Sequence, residues 1–464
     1  MTCSPAIRDI LPGIERSSAS SISGQIAAAL RSAIREGRLA PGARLPSWND
    51  LADQLGVARG TVRAAYDTLA DELLVVPAGA SGTRVFRDVP PPAPAPVIER
   101  PPDGISAEPL PFTPGIPAQD ALPAKLWSRL CARAARRDAA SLVAETDPRG
   151  SATLRKEIAA VLGITRSVSC TPDQIVVTSG YRNSLWLTMQ VLEVAGKKAW
   201  HEDPGCPVTR KALCLAGADL VPVPVDEQGL VVDRGVALAP AARLAIVSPT
   251  SQAPTGVVLS EGRRLDLLDW AERNDAWIVE DDRLGGLQLA RPSVPALAAH
   301  DALGRVILIG AFDAVLGTGA GLGYLVAPEA LADRFARAAA VLNPASDTIT
   351  QSALAVFIAD GHYLRHLRQM RRLYRERKGA LAASLHHRVT VEDAAPLALT
   401  APLAGRADDV VLARRALDLG IGPLPLSTWY HDRSTARPGL LLGLTNMHAG
   451  NLGFACDRLL ELLC

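Results

Sequence analysis

A run of prolines near residue 90 is the feature that most limits how this chain can fold. Residues 90–98 read PPPAPAPVI, and five further prolines follow between positions 101 and 114. Proline lacks a backbone N–H and fixes one backbone dihedral, so such a segment forms neither a helix interior nor a central strand. It is typical of an extended, semi-rigid spacer. The sequence therefore predicts two separately folded parts, residues 1–87 and 112–464, joined by a linker over 88–111.

The first part shows the order helix, helix, helix, hairpin. Apolar residues at helical spacing begin at Ile22, a second helix follows Ser47 and ends at Gly56, and a third covers ARGTVRAAYDTLADELLVV. Short β-branched stretches around Val75 and Val85 flank a glycine-containing turn. This order is that of a winged helix-turn-helix, in which the third helix enters the major groove of DNA.

The candidate DNA-contacting residues lie on the third helix, at the start of the second, and beside the hairpin turn. They are Arg44, Ser47, Asn49, Arg59, Thr61, Arg63, Gly82 and Thr83. Residues 1–87 hold ten arginines and eight acidic residues, a net charge of +2. General attraction to a polyanion is therefore weak, and a solvated basic face stays open as the alternative.

Two segments of this first part resemble a known protein family in their amino-acid sequence. GRLAPGARLPS at 37–47 and LADQLGVARGTVRAAY at 51–66 closely resemble the DNA-binding domain of GntR-type bacterial repressors. With the proline-rich linker and the remainder, the chain is similar to the MocR subfamily, which joins that domain to one shaped like a fold-type I aminotransferase. The resemblance implies binding to double-stranded operator DNA as a head-to-tail homodimer.

Two positions depart from the family pattern. Trp48 and Asn49 stand where the family usually has a serine or threonine followed by an arginine. Ala58 stands in place of a serine before the third helix, which removes an N-cap typically worth ~1 kcal/mol. Both departures are expected to shift the operator sequence or to weaken the affinity for DNA.

The second part alternates strands and helices. Three β-branched apolar runs are 175–177, 245–247 and 277–279. This pattern predicts an α/β domain with a mainly parallel sheet, whose ligands bind at the carboxyl ends of the strands. Ser179 and Gly180 follow one strand and open a helix, which favours phosphate binding by backbone N–H groups. We expect a small α+β subdomain at about 375–464.

Landmarks of the second part resemble a fold-type I aminotransferase. They are FTPGIP at 112–117, DPRG at 147–150, EDPG at 202–205, QAPTG at 252–256 and IVEDD at 278–282. The resemblance implies pyridoxal 5'-phosphate as cofactor, with Asp281 pairing with its pyridine nitrogen. It also implies a lysine that bonds to the cofactor, in a phrase such as Gly-Thr-Phe-Ser-Lys-Thr-Leu. Here residues 310–316 read GAFDAVL, so the lysine position is Ala314.

The surrounding positions have changed with the lysine. Asp313 replaces a serine, Gly321 a phosphate-binding arginine, Cys206 a ring-stacking aromatic residue, Arg283 a tyrosine and Ser251 a histidine. The chain has only six lysines among its 49 basic residues, and those nearest in sequence to Ala314 are Lys211 and Lys378. The candidate pocket consists of Ser179, Gly180, Tyr181, Arg182, Cys206, Gln252, Asp281, Arg283, Asp313 and Ala314.

Without an amine the cofactor cannot bond covalently to the protein, so transaminase chemistry has no resting state. We therefore expect a DNA-binding regulator with a catalytically inactive domain, which serves dimerisation and effector sensing without covalent pyridoxal phosphate. The alternatives are a regulator that binds the cofactor, a residual aminotransferase-type enzyme and a scaffold that does not bind DNA. The pocket is expected to hold a small amino-acid-like or acidic effector, or to be closed by an Arg283–Asp313 pair.

Three further patterns concern the surroundings of the protein. The seven cysteines show no C-x-x-C pair and no metal-ligand spacing, which indicates a reducing cytosol and no metal site. The first residues include charges and Pro12 where a signal peptide has an apolar core. The apolar stretch 306–328 is interrupted by Asp313 and several glycines, so it predicts strand, loop and strand and no membrane span. We expect a cytoplasmic protein.

Overall fold

The chain divides into two compact units, Met1–Gly104 and Ile105–Cys464. The computed structural model describes residues 20–77, 82–86, 109–138, 147–289, 293–343, 347–395, 397–405 and 407–463. Most of the predicted linker, residues 88–108, lies outside the described residues.

The described part of the N-terminal unit contains helices and a two-stranded antiparallel sheet. The elements are α1 Ile22–Arg35, α2 Trp48–Leu55, α3 Arg59–Asp71, β1 Val75–Pro77 and β2 Thr83–Val85. Helix α2 begins where the Ser47 side chain accepts the Asp50 N–H, and it ends at Gly56 in the left-handed conformation. Ala58 gives α3 no side-chain cap, as the sequence predicted. The order is that of a winged helix-turn-helix.

Each helix of this unit contributes fully buried apolar side chains to one core. Ile26 and Leu30 of α1, Leu51 of α2, and Val62 and Leu69 of α3 are all 0% exposed. Because these residues recur every three or four positions, the opposite face of α3 remains available to solvent.

The C-terminal unit is built on a mixed sheet, which has eight strands within the described residues. In chain order they are β3 Ile175–Thr178, β4 Lys198–Asp203, β5 Asp219–Asp226, β6 Gly229–Leu230, β7 Leu244–Val247, β8 Trp277–Asp281, β9 Val306–Ala311 and β10 Gly323–Val326. The order across the sheet is β3-β10-β9-β8-β7-β4-β5-β6. The neighbours from β9 to β5 are parallel, and β10 is antiparallel to both of its neighbours. The two strands predicted over 306–328 are confirmed as β9 and β10, but the segment between them contains the short helix Asp313–Leu316 where a loop was predicted.

Helices accompany this sheet along the chain. They are α4 Ala124–Asp138, α5 Ala152–Arg166, α6 Tyr181–Val191, α7 Pro207–Leu215, α8 Val232–Leu238, α9 Glu261–Arg273, α10 Asp313–Leu316, α11 Glu329–Leu342 and α12 Thr348–Ala359. Apolar clusters that include sheet and helix residues pack on the sheet, and Trp200 stacks on Trp270 with ring centroids 3.9 Å apart.

The last part of the chain forms a smaller antiparallel sheet. Helix α13, His362–Leu385, leads into it. The remaining elements are β11 Glu392–Asp393, β12 Ala398–Pro402, α14 Asp409–Asp418, β13 Leu424–Pro425, β14 Gly439–Gly443 and α15 Ala449–Leu463. The strand order is β11-β12-β14-β13.

The described residues contain neither a membrane-spanning helix nor a metal-binding cluster. No helix there combines the length and the apolar character that crossing a membrane requires. Within the same residues, no group of histidine, cysteine and acidic side chains could hold a metal ion. Of the cysteines described, Cys214 is exposed and Cys456 is buried.

Candidate functional site

Helix α3 turns one face to the core and the other to solvent. Tyr66 packs in the core, and its hydroxyl donates to the Pro46 carbonyl at 3.1 Å, which fixes α3 against the start of α2. Arg59 and Arg63 are exposed, and Thr61 is half-buried. The Arg63 guanidinium lies 5.3 Å from the ring centroid of Trp48, which is 41% exposed. The predicted residues of α3 thus share its exposed side with Trp48, a residue that the sequence reasoning treated only as a departure.

The other predicted DNA contacts lie on the wing and at the start of α2. Arg44 pairs with Arg84 of β2 in an isolated bridge, and the Leu45 N–H donates to the Thr83 carbonyl at 2.9 Å. The Arg44 guanidinium group also lies beside Gly82, so Arg44, Gly82 and Thr83 are neighbours. Asn49 is exposed in the first turn of α2. The Ser47 side chain accepts the Asp50 N–H at 3.1 Å and has a capping role.

A cavity of about 500 Å³ lies at the carboxyl ends of the parallel strands in the C-terminal unit. Its lining includes these residues of the predicted pocket: Arg182, Cys206, Asp281, Arg283, Asp313 and Ala314. The small sheet and the loop before β14 contribute Leu397, Trp429 and Leu441, which sequence reasoning missed because no local pattern relates them to the strand ends. None of the six lysines is among the lining residues.

Arg283 makes an ion pair with Asp281 on the floor of this cavity. Its Nη2 lies 2.7 Å from Asp281 Oδ2, and its Nε donates to Oδ1 at 2.9 Å. The guanidinium carbon lies 3.8 Å from the ring centroid of Tyr181, and Nη2 lies 3.7 Å from Cys206 Sγ. The alternative of a cavity closed by an Arg283–Asp313 pair is not what the structure shows, because Arg283 binds both carboxylate oxygens of Asp281, two residues before it in the chain. We call the group of Tyr181, Arg283 and Asp281 the arginine stack.

The arginine stack is well shielded. The side chain of Asp281 is 8% exposed and that of Arg283 is 28% exposed. Burial raises the pKa of the Tyr181 phenol well above its usual value, so the ring beneath the guanidinium is neutral. The Tyr181 hydroxyl lies 2.8 Å from Thr209 Oγ1, which satisfies it. A cation on a neutral ring is a favourable contact, of about 0.5–2 kcal/mol for a cation that is only partly shielded from water.

The predicted phosphate cradle is partly closed by its own helix. The Ser179 N–H donates to the Asn183 side-chain oxygen at 3.1 Å, so this donor is occupied. Gly180 has a positive φ of 114° and is the N-cap of α6. Gln252 is 1% exposed and donates to the Pro204 carbonyl at 2.7 Å, so it holds two loops together beside the cavity.

Asp313 and Ala314 begin the short helix α10 after β9. Asp313 Oδ1 accepts the Ala314 N–H at 2.8 Å, and no ion pair to this carboxylate is found within the described residues. Gly321, where the resemblance places a phosphate-binding arginine, has a positive φ of 56°. The charge that faces the cavity from α10 is therefore negative.

A buried ion pair under the site was not predicted at all. Arg166 at the end of α5 contacts both oxygens of Asp282, at 2.7 and 2.9 Å. It also donates to Thr250 Oγ1 and to the Val294 carbonyl, each at 2.6 Å. Asp282 follows Asp281 and faces the other side of the sheet, because side chains alternate along a strand. The pair spans 116 residues of sequence, so no local signal could have found it.

Comparisons with known proteins agree with both units. Residues 22–85 match the family of bacterial regulatory proteins called gntR, and residues 125–400 match aminotransferase class I and II. The probable rhizopine catabolism regulatory protein MocR of Rhizobium meliloti is 34% identical over 437 residues, which are 89% of this chain and 88% of that protein. The chain belongs to the MocR-type members of the GntR family.

Other relatives of this GntR-family chain support the same assignment. The HTH-type pyridoxine biosynthesis transcriptional regulator PdxR of Corynebacterium glutamicum is 36% identical over 368 residues, 79% of each chain. Among solved structures, an archaeal alanine:glyoxylate aminotransferase matches with a TM-score of 0.72 at 23% identity, over 77% of this chain and 91% of that one. At that identity the likeness shows the fold alone.

Glu202 at the end of β4 should make the stability of this MocR-type chain depend on pH. Burial raises its pKa to about 7, although its carboxylate accepts the Ser248 N–H at 3.0 Å. Because the pKa of Glu202 is higher in the folded than in the unfolded chain, this carboxyl stabilises the fold fully at a pH below its unfolded-state pKa. That stabilisation is lost as the pH rises through about 7. Between pH 4.5 and 8, titration of Glu202 should lower the free energy of unfolding of the parent chain by about 3 kcal/mol. We expect Glu202→Gln to lack this part of the decline. Urea denaturation across this range measures it.

Glu227→Gln is the matched control, because Glu227 is exposed. It should leave the pH dependence of unfolding as in the parent chain. Parallel curves for Glu202→Gln and the parent would contradict the assignment of this titration to Glu202.

Proposed function

We propose that this chain is a cytoplasmic transcription regulator that binds operator DNA as a head-to-tail homodimer. In this proposal residues 1–87 read the DNA, 88–111 link the parts, and 112–464 provide dimerisation and effector sensing, with a small subdomain over 375–464. The exposed face of α3 carries the proposal, since Arg59 and Arg63 are held outward by a core of fully buried apolar residues on the same helix.

The C-terminal unit is proposed to have no enzymatic activity. No lysine lines the cavity, so no amine is available there to bond to a carbonyl cofactor or substrate. The residues present also do not fit pyridoxal phosphate. The carboxylate expected to pair with its ring is bound by Arg283, and the carboxylate of Asp313 adds a negative charge to the lining of a cavity that would have to hold a phosphate. The unit is therefore assigned to assembly and sensing.

A dimer of such readers contacts two half-sites, so its operator should contain a repeated or inverted sequence. Phosphate contacts from the wing and α2 set the position on the duplex, and side chains of α3 read the bases. Asn49 and Trp48, which replace the usual polar pair, would then alter contacts near the start of α2.

The test measures binding of the full chain to a fluorescent duplex from the region upstream of its own gene. We expect preference over a random duplex of equal length, and affinity that falls with salt in proportion to the phosphates contacted. Arg59→Ala should weaken specific binding by about 1–3 kcal/mol, or roughly 5- to 150-fold, because an arginine that contacts a base edge contributes that much.

Arg38→Ala is the matched control, because Arg38 is similarly exposed but pairs with Glu36 at 2.7 Å on the turn after α1. It should retain the affinity of the parent chain. Equal affinity of the parent for upstream and random DNA at low salt would refute sequence-specific binding. If Arg59→Ala binds DNA with unchanged affinity, the predicted base contact is not made from this position of α3.

A further inference from the structure

The arginine stack fills the floor of the cavity with the chain's own side chains. Arg283 neutralises Asp281 and lies on Tyr181, so these two charges are already satisfied. A ligand that enters the cavity therefore meets the charges that remain, together with the apolar wall. The chemistry of those remaining groups defines what the cavity can bind.

Of the charged residues that line the cavity, Asp313 is half-buried and has no charged partner within the described residues. One of its oxygens accepts the Ala314 N–H, and no ion pair to either oxygen is present. Arg182 also lines the cavity, but its side chain is exposed, so water can solvate its charge. A half-buried carboxylate has more to gain from a cation than an exposed guanidinium has from an anion.

Most of the remaining wall is apolar. Ile116, Leu284, Leu397, Trp429 and Leu441 line the cavity from four different parts of the C-terminal unit. A concave site with an apolar wall and a few polar groups is the usual form of a small-molecule site. At about 500 Å³ the cavity is large enough for a ligand with several carbon atoms.

Ser251 provides a second polar group that is not satisfied by the protein. Its hydroxyl is buried, lines the cavity and has no hydrogen-bond partner among the described residues. Buried polar groups in proteins are almost always hydrogen-bonded, so an unpartnered hydroxyl beside a cavity indicates a missing donor or acceptor.

We propose that this cavity binds, without covalent attachment, a small organic cation: an ammonium group that pairs with Asp313, on an apolar body that packs against the wall. The ligand charge that the site favours is thereby reversed, from the negative charge of a phosphate to the positive charge of an amine. The inference rests on the proposed function in one respect, namely that no pyridoxal phosphate occupies the pocket.

The experiment is calorimetric titration of the full chain with three probes of similar shape: isoamylamine, 4-methylpentanoate and L-leucine. We expect saturable binding of isoamylamine and at least tenfold weaker binding of 4-methylpentanoate. L-Leucine distinguishes the two sources of an ammonium group. If L-leucine binds more tightly than isoamylamine, the ligand class is a zwitterion whose carboxylate contacts Arg182. If L-leucine binds more weakly, the ligand class is a simple amine.

Asp313→Asn should weaken amine binding at least tenfold, because it removes the charge and keeps the shape. Asp333→Asn on α11, an exposed aspartate outside the cavity, is the matched control and should bind as the parent does. The proposal is overturned by the absence of saturable amine binding, by tighter binding of 4-methylpentanoate, or by equal affinity of Asp313→Asn and the parent. Arg59→Ala should bind the amine normally, so failure of DNA binding and failure of ligand binding are distinguishable.

Discussion

Arg166→Met is expected to destabilise the C-terminal unit by about 3–5 kcal/mol, because it leaves a buried carboxylate without its counter-charge. The Arg166 and Asp282 side chains are each 2% exposed. Removing the guanidinium also takes its donor from Thr250 Oγ1, whereas the Val294 carbonyl keeps a second donor in the Gln288 side-chain amide at 3.0 Å. Urea denaturation monitored by tryptophan fluorescence measures the loss, since Trp200 and Trp270 are buried in this unit.

Two variants make this result specific. Arg273→Met removes an arginine that is 77% exposed and paired at the surface of α9, so it should change stability by less than about 0.5 kcal/mol. Combining Arg166→Met with Asp282→Leu should recover part of the loss, because two apolar residues need no counter-charge. A cost for Arg166→Met as small as that for Arg273→Met would show that the pair does not stabilise the fold.

A lysine introduced at position 314 is not expected to restore binding of pyridoxal phosphate. After incubation of Ala314→Lys with pyridoxal phosphate and gel filtration, the protein fraction should carry no visible cofactor absorbance. The lysine would supply the amine, but Arg283 still binds both oxygens of Asp281. The carboxylate of Asp313 would oppose the phosphate by up to about 4 kcal/mol for a pair of unit charges at 4 Å and an effective dielectric constant of about 20.

The companion variant reverses four of the six changes together, those at the lysine position and at the charged positions of the pocket: Ala314→Lys, Asp313→Ser, Arg283→Tyr and Gly321→Arg. Open space surrounds Gly321, although its left-handed backbone costs a side chain about 1–2 kcal/mol. We expect this variant to retain cofactor absorbance after gel filtration. Retention by Ala314→Lys alone would show that the arginine stack does not exclude the cofactor.

Much of the N-terminal unit was predictable because its signals are local. Ser47 and Gly56 delimit α2 as the sequence indicated, since a capping side chain and a left-handed glycine act within one helical turn. The strand ends in the C-terminal unit were also predictable, and Asp281 lies at the end of β8 as expected. Local patterns therefore gave the architecture and the edge of the sheet where the cavity lies.

The pairing of charges at that edge was not predictable in the same way. Arg283 could have reached Asp281 or Asp313, and the choice depends on the turn that follows β8 and on the ring of Tyr181 below it. Arg166 and Asp282 meet only after α5 and β8 have packed together. Spacing in the sequence carries no information about such contacts, because they are fixed by tertiary packing.

The arginine stack has a consequence for how much of the regulator a cell maintains in folded form. A protein whose native state binds a vitamin-derived cofactor gains stability as the logarithm of the cofactor concentration, so its folded population follows the nutritional state of the cell. Arg283 and Tyr181 belong to the same chain as Asp281, so each folded molecule contains all three, whatever the concentration of any free ligand. On the proposed function, the abundance of the folded regulator is therefore independent of vitamin supply.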